Sequence, residues 1–164
     1  MEVDVEQIPA AASYPLRHAV LRPHLTAEQL VFDGDDLPGT ATFGAIDRAS
    51  GEVVGVGTML REAAPFNPAE AGIASREAEP APWRLRYMAT REDARGQGVG
   101  ALVLQAGLAY VSAEGGDFVW CNARVPAVGF YERAGFEVWG EEWVEGSVGP
   151  HVVMWRSTET GKAT

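Results

Sequence analysis

The sequence predicts an α/β (α+β) fold, a mixed sheet with helices on both faces, and three observations carry that expectation. Two strand-like runs, Thr40 to Arg48 and Glu52 to Arg61, are joined by Ala49-Ser50-Gly51 and form the clearest hairpin. In the middle, a strand from Trp83 to Thr90 leads into a glycine loop, a long apolar helix and a further strand from Phe118 to Cys121. The end is β-rich again, with Phe136 to Trp143 and His151 to Arg156. A length of 164 residues, 46% of them hydrophobic, suits one domain with a full core. We expect that domain over residues 1–156, with 157–164 as a flexible tail.

Taken in order, Val3 to Ile8 alternates apolar with polar residues, as an edge strand does. Pro15 to Arg22 reads as a short helix with Ser13 as N-cap and Pro23 near its end, turning Leu16, Val20 and Leu21 to the core. The acidic run Asp33-Gly34-Asp35-Asp36-Leu37-Pro38-Gly39 lacks the later ligands of a calcium loop and is expected to be a solvated turn. Glu62 to Pro82 is rich in alanine, proline and glutamate, and is either an insertion or one wall of a substrate site. The helix after the glycines runs to about Glu114, ended by Gly115-Gly116, with Gln105 and Ser112 on a thin exposed stripe. A second helix spans Pro126 to Arg133 and stops at Ala134-Gly135.

Composition narrows the partners. A net charge of −10 weighs against nucleic acid and anionic membranes, which reward a basic footprint. The lone Cys121 allows no internal disulfide and no cysteine zinc cluster, so no metal is expected. Met1 to Glu6 lacks the basic and apolar regions of a signal peptide, and the apolar run 98–111 is too short to span a bilayer. A soluble cytoplasmic protein, monomer or homodimer, is expected.

The chemistry centres on Arg95-Gly96-Gln97-Gly98-Val99-Gly100. Alternating glycines let another molecule approach the main chain, and the free N–H groups of the following helix start favour an anion. Arg95 adds a fixed positive charge. No Gly-Lys-Ser/Thr string supports a Walker loop. Gly96-x-Gly98-x-x-Ala101 satisfies a loose dinucleotide fingerprint, but the charged Arg91 to Arg95 separates the glycines from their strand, and the next strand ends in Cys121-Asn122 without the acidic residue for a ribose.

Arg95-x-x-Gly98-x-Gly100 followed by Phe130-Tyr131-Glu132-Arg133-Ala134-Gly135-Phe136 resembles the GCN5-related N-acetyltransferase (GNAT) family, as does the strand Leu85 to Thr90. Phe136 to Trp143 with Gly149 to Met154 looks most like its ElaA-type branch. The resemblance implies a mostly antiparallel twisted sheet of six to seven strands and acetyl transfer from acetyl-CoA to a primary amine of a small molecule or peptide, by direct attack in a ternary complex. It implies that the amides of Gly96, Gln97, Gly98, Val99 and Gly100 hold the coenzyme pyrophosphate. A bulged fourth strand would leave Met88, Ala89 and Thr90 with free main-chain groups for pantetheine and for the thioester carbonyl. Tyr131 stands where the family places its general acid; the alternative is an aromatic that only orients the coenzyme. For the base, Glu141, Glu142, Glu145 and His151 are candidates, with His151 and Glu142 foremost. The family's asparagine seven residues before the tyrosine is Arg124 here, with Asn122 nearby as a substitute contact, and the branch's histidine after the acidic turn is Thr42. Cys121 reads as a small buried hydrophobe. A non-catalytic acyl-CoA sensor or scaffold is the alternative function.

Overall fold

The computed structural model describes residues 1–73 and 80–158. Its strands are β1 (Val3–Ile8), β2 (Ala41–Asp47), β3 (Val53–Arg61), β4 (Pro82–Thr90), β5 (Phe118–Arg124), β6 (Glu137–Glu145) and β7 (Gly149–Ser157). They form one seven-stranded sheet in the order β1-β2-β3-β4-β5-β7-β6. The pairs β1–β2, β2–β3, β5–β7 and β6–β7 are antiparallel, whereas β4–β5 is parallel. A parallel pair needs a crossover, here the helix α2 (Val99–Ala113). With α1 (Ala10–Leu21) and α3 (Val128–Arg133), this is the mixed, mostly antiparallel α/β fold expected. No helix among the described residues is long and apolar enough to cross a membrane.

Contacts gather into two compact units, one of Met1–Arg61 with Leu85–Tyr110, the other of Glu62–Arg84 with the chain from Val111 onward. In the first unit, Ala41, Phe43 and Ala45 of β2 pack with Val99 and Val103 of α2. Residues on the opposite side meet α1, whose Leu16 packs with Ile8, Val56 and Ala89 and is joined by Val20, Leu21 and Ile46. The period-2 alternation of β2 therefore serves a helix on each face. Contact with α2 is close: a Cβ at Gly55 would lie 2.7 Å from Val99, and one at Gly107 would lie 2.8 Å from the Met59 methyl. The rest of α2 is wetter than its composition suggests, since Ala101, Leu102, Gln105 and Ala109 are all exposed.

The first helix corrects the sequence expectation. It begins at Ala10 with Pro9 as N-cap and runs through Pro15. Ser13 is not the cap: its hydroxyl donates back to the Ala10 carbonyl at 2.5 Å inside the helix. The strong helix formers Ala10 to Ala12 extend the helix toward its start, and Pro15 lies inside it although a proline there lacks one helical N–H and crowds the carbonyl four residues before it.

The second unit is built on Phe118, Trp120, Trp155 and Ile73, with Phe66, Trp139 and Val153 packed against them. Phe66 lies 5.0 Å from the Trp139 ring. Glu62 pairs with Arg84 at 2.6 Å, and its carbonyl accepts the Trp120 indole N–H at 3.0 Å. The near half of the Glu62 to Pro82 segment is thus part of this core, while residues 74–79 lie outside the described residues. Of the expected tail, Ser157 instead closes β7, and the buried Thr158 hydroxyl donates to the Gly116 carbonyl at 2.6 Å. Residues 159–164 lie outside the described residues.

Candidate active site

The glycine loop lies in the first unit, after the short turn of helix Glu92–Ala94. Gly96 and Gly98 take φ of 74° and 79°, backbone that other residues adopt only under strain. A Cβ at either would meet nothing within 4 Å. Gln97 folds back, its amide donating to the Asp93 carbonyl at 2.8 Å. The next close main-chain bond is Leu102 N–H to the Gly98 carbonyl, so the N–H groups of Gly96 through Ala101 make no close main-chain hydrogen bond among the described residues. Arg91 is neutralised by Glu52 and Asp93 at 2.7 and 2.6 Å, which leaves the exposed Arg95 as the loop's available arginine, while the Met1 ammonium donates to the Gln97 side chain at 3.1 Å. Arg95 Nε donates to the Thr90 carbonyl at 3.2 Å and ties the loop to the end of β4. Free amides, open space above two glycines and one arginine suit a diphosphate, so these residues fit the coenzyme.

The strand leading to that loop is irregular where the resemblance implies a bulge. Tyr87 has φ of 57°, the only positive value at a non-glycine residue among those described. Holding such a residue there costs about 1–3 kcal/mol. The parallel ladder to β5 covers Pro82 to Arg84 and stops. Beyond it, the Met88 sulfur packs toward Gly57, Ala89 is buried, and Thr90 is half-buried. Past Arg84, then, β4 has no partner in the β5 ladder.

The remaining candidates belong to the second unit. Tyr131, on α3, is buried at 7% exposure between Phe130 and Phe136, with ring centroids 5.0 and 5.4 Å away. Burial, and secondarily the neighbouring Cys121 sulfur, push its phenol well above the ordinary value near 10. Among the described residues its hydroxyl has no hydrogen-bond partner. His151 is the third residue of β7, buried and stacked on Trp143 at 5.6 Å. Its Nδ1–H donates to the Gly149 carbonyl at 2.9 Å, which leaves Nε2 as the acceptor of the neutral ring. In the β5–β7 ladder Asn122 faces Val153 and Arg124 faces His151, so exposed Asn122 and Arg124 share the His151 face. Cys121, beside Tyr131, is on the other face. Glu142 and Glu141 are exposed in a bulge of β6, where three residues after Trp139 oppose Val152 alone.

Burial also pushes the Cys121 thiol up to about 12, which removes it as a nucleophile. Iodoacetamide at pH 8 should leave the folded protein unlabelled and fully active. Rapid inactivation on labelling would reinstate a covalent intermediate.

Residues 40–154 match the acetyltransferase (GNAT) domain family. The chain belongs to the GNAT acetyltransferase family. This acetyltransferase is 30% identical over 160 residues to the uncharacterized N-acetyltransferase YitI of Bacillus subtilis (strain 168), covering 98% of this chain and 99% of the relative. Its fold is similar to the crystal structure of Escherichia coli ElaA, with a TM-score of 0.71 and 18% identity over 94% of this chain and 99% of that one. It is also similar to an aminoglycoside 6'-N-acetyltransferase complexed with coenzyme A, with a TM-score of 0.65 and 14% identity over 94% and 96% of the two chains.

The acetyltransferase contains a polar cluster that sequence reasoning missed. Arg17 is fully buried on α1, with Nη1 2.6 Å and Nη2 3.0 Å from the carboxylate of Asp35, in the acidic turn expected to be solvated. Nη2 also donates to Thr58 at 2.7 Å, and Thr58 shares a 2.8 Å hydrogen bond with Thr42. The guanidinium lies over three rings, Tyr87 at 4.4 Å, Phe32 at 4.8 Å and Tyr14 at 5.4 Å. Thr42 is thus a buried support for Arg17 and has no surface for a substrate. One signal was available: Arg17 stands three and four residues before Val20 and Leu21, on the core side of the helix.

Proposed function

We propose that this acetyltransferase moves the acetyl group of acetyl-CoA to a primary amine of a small molecule or peptide, by direct attack in a ternary complex. The observation that carries the reading is the glycine loop with its unsatisfied N–H groups beside Arg95. When bound, acetyl-CoA supplies an activated thioester carbonyl and a thiolate leaving group. The amides of Gly96 to Gly100 and the Arg95 guanidinium hold the diphosphate. The main chain of Met88 to Thr90 pairs with the amide arm as a strand would, and an N–H near Met88 donates to the thioester oxygen. Asn122 adds a polar contact.

Either His151, at Nε2, or Glu142 accepts the amine's proton, His151 only through water because it lies on the sheet face opposite Cys121 and its neighbour Tyr131. Tyr131 donates to the departing thiolate. Its raised pKa keeps the phenol protonated through the working range, and a hydroxyl without a protein partner is available to a ligand. Cationic acceptors suit the net charge of −10.

Thiol release with a panel of amines tests the transfer. Tyr131→Phe should lower kcat by about a hundredfold, the modest end of general acid catalysis, because a thiolate leaves readily. Because the phenol does not ionise below its raised pKa, the ratio of wild-type to mutant rates should stay flat from pH 7 to 10. An unchanged rate would remove Tyr131 as the acid, whereas a ratio that collapses toward one above pH 9 would show that the phenol ionises in its ordinary range. The same assay on His151→Phe and Glu142→Gln separates the candidate bases. Coenzyme binding with no release from any amine would overturn amine transfer in favour of a binding module.

A further inference from the structure

We propose that Arg17 and Asp35 are a positioning pair that holds the Tyr87 bulge of β4, and through it sets the main chain of Met88 to Thr90 for the acyl coenzyme. The inference rests on the coenzyme reading given above. The positive φ of Tyr87 persists only if its surroundings over-determine it, and they do: Arg17, Arg86 and Phe32 hold its ring while the acidic turn holds its hydroxyl. Its ring lies 4.4 Å from the Arg17 guanidinium carbon, and its hydroxyl donates to the Asp33 carbonyl at 2.8 Å. Asp33 and Asp35 belong to one turn, so the turn grips the tyrosine hydroxyl through its main chain and the arginine through a carboxylate. Arg17 in turn is fixed by Thr58 of β3, next to the glycine against which Met88 packs.

Stability alone does not account for such a pair. A buried ion pair replaced by apolar residues of like volume is often neutral or stabilising. What the arginine supplies that methionine could not is direction: a planar cation with fixed N–H vectors stacks on Tyr87 while bonding Asp35 and Thr58. One consequence follows for the strand. The residues after Tyr87 inherit their orientation from its φ, and they are the ones whose main chain is assigned to the coenzyme.

The test is the double variant Arg17→Met/Asp35→Leu, which removes both charges and keeps the volume so that the protein folds. Labelling the methionine methyls with carbon-13 and assigning Met88 by its loss in Met88→Leu gives a readout in the free protein. The Met88 resonance should move in the double variant. Calorimetry should show coenzyme A binding about tenfold weaker, and KM for acetyl-CoA should rise about tenfold with KM for the best amine of the panel unchanged. A folded double variant with wild-type coenzyme affinity and an unmoved Met88 resonance overturns the proposal. So does an equal loss for both substrates, the sign of a merely loosened fold. A wild-type protein that binds no coenzyme A overturns the functional reading and the proposal with it, whereas wild-type binding beside an unaffected variant overturns the pair alone.

Discussion

Gly98→Glu leaves no measurable heat of coenzyme A binding at concentrations that saturate the wild-type protein. Two effects combine. At φ of 79° a side chain forces a left-handed backbone that costs about 1–2 kcal/mol, and the loop can relax only by moving the N–H groups assigned to the diphosphate. The carboxylate then occupies the open space above the glycine and repels a second anion. Together they should exceed about 4 kcal/mol, a loss of about a thousandfold in affinity. Gly98→Ala isolates the backbone part and should weaken binding by about tenfold. The same backbone strain should lower the thermal midpoint of either variant by about 2–8 °C. Coenzyme bound by Gly98→Glu with unchanged affinity would show that this loop is a turn and not a phosphate site.

Arg17→Met alone should destabilise the protein by about 3–5 kcal/mol, read as a lower urea midpoint, because it leaves the Asp35 carboxylate buried without its partner. The side chains of the pair are 0% and 9% exposed, so solvent does not screen the loss. The double replacement Arg17→Met/Asp35→Leu should recover most of it, since it removes the group left unpaired. A single variant as stable as wild type would mean that water reaches Asp35 and that the pair is not buried in solution.

These two sites differ in how legible they are in sequence. The glycine loop is local: the spacing of Gly96, Gly98 and Gly100 after Arg95 reports its own backbone and the helix start that follows. The bounds of β1 and the stops of α2 and α3 were readable for the same reason, through alternation or through glycines past a helix end. The Arg17 cluster joins residues 17, 35, 58 and 87, and no periodicity records such a meeting. A charge reads as solvated until its partner is placed, and the acidic turn accordingly reads as solvated. The Tyr87 distortion is equally hidden, since tyrosine is an ordinary strand residue and its strand keeps a regular alternation of buried and half-buried positions. For His151, sequence suggested the residue; its tautomer depends on a carbonyl that only the fold supplies.

The bulge of β6 bears on association as well as on Glu142. As the last strand in the sheet, β6 presents a row of main-chain donors and acceptors to any other chain. Val138 and Val144 are exposed along it, the composition that recruits a foreign strand. Gly140, Glu141 and Glu142 interrupt that row between the two valines, with Gly140 at φ of 78° and two carboxylates exposed. An incoming strand would lose its register there and meet like charge from a second copy of the chain. The kink that exposes a candidate base is thus also the kind of interruption that blunts edge-to-edge pairing of sheets.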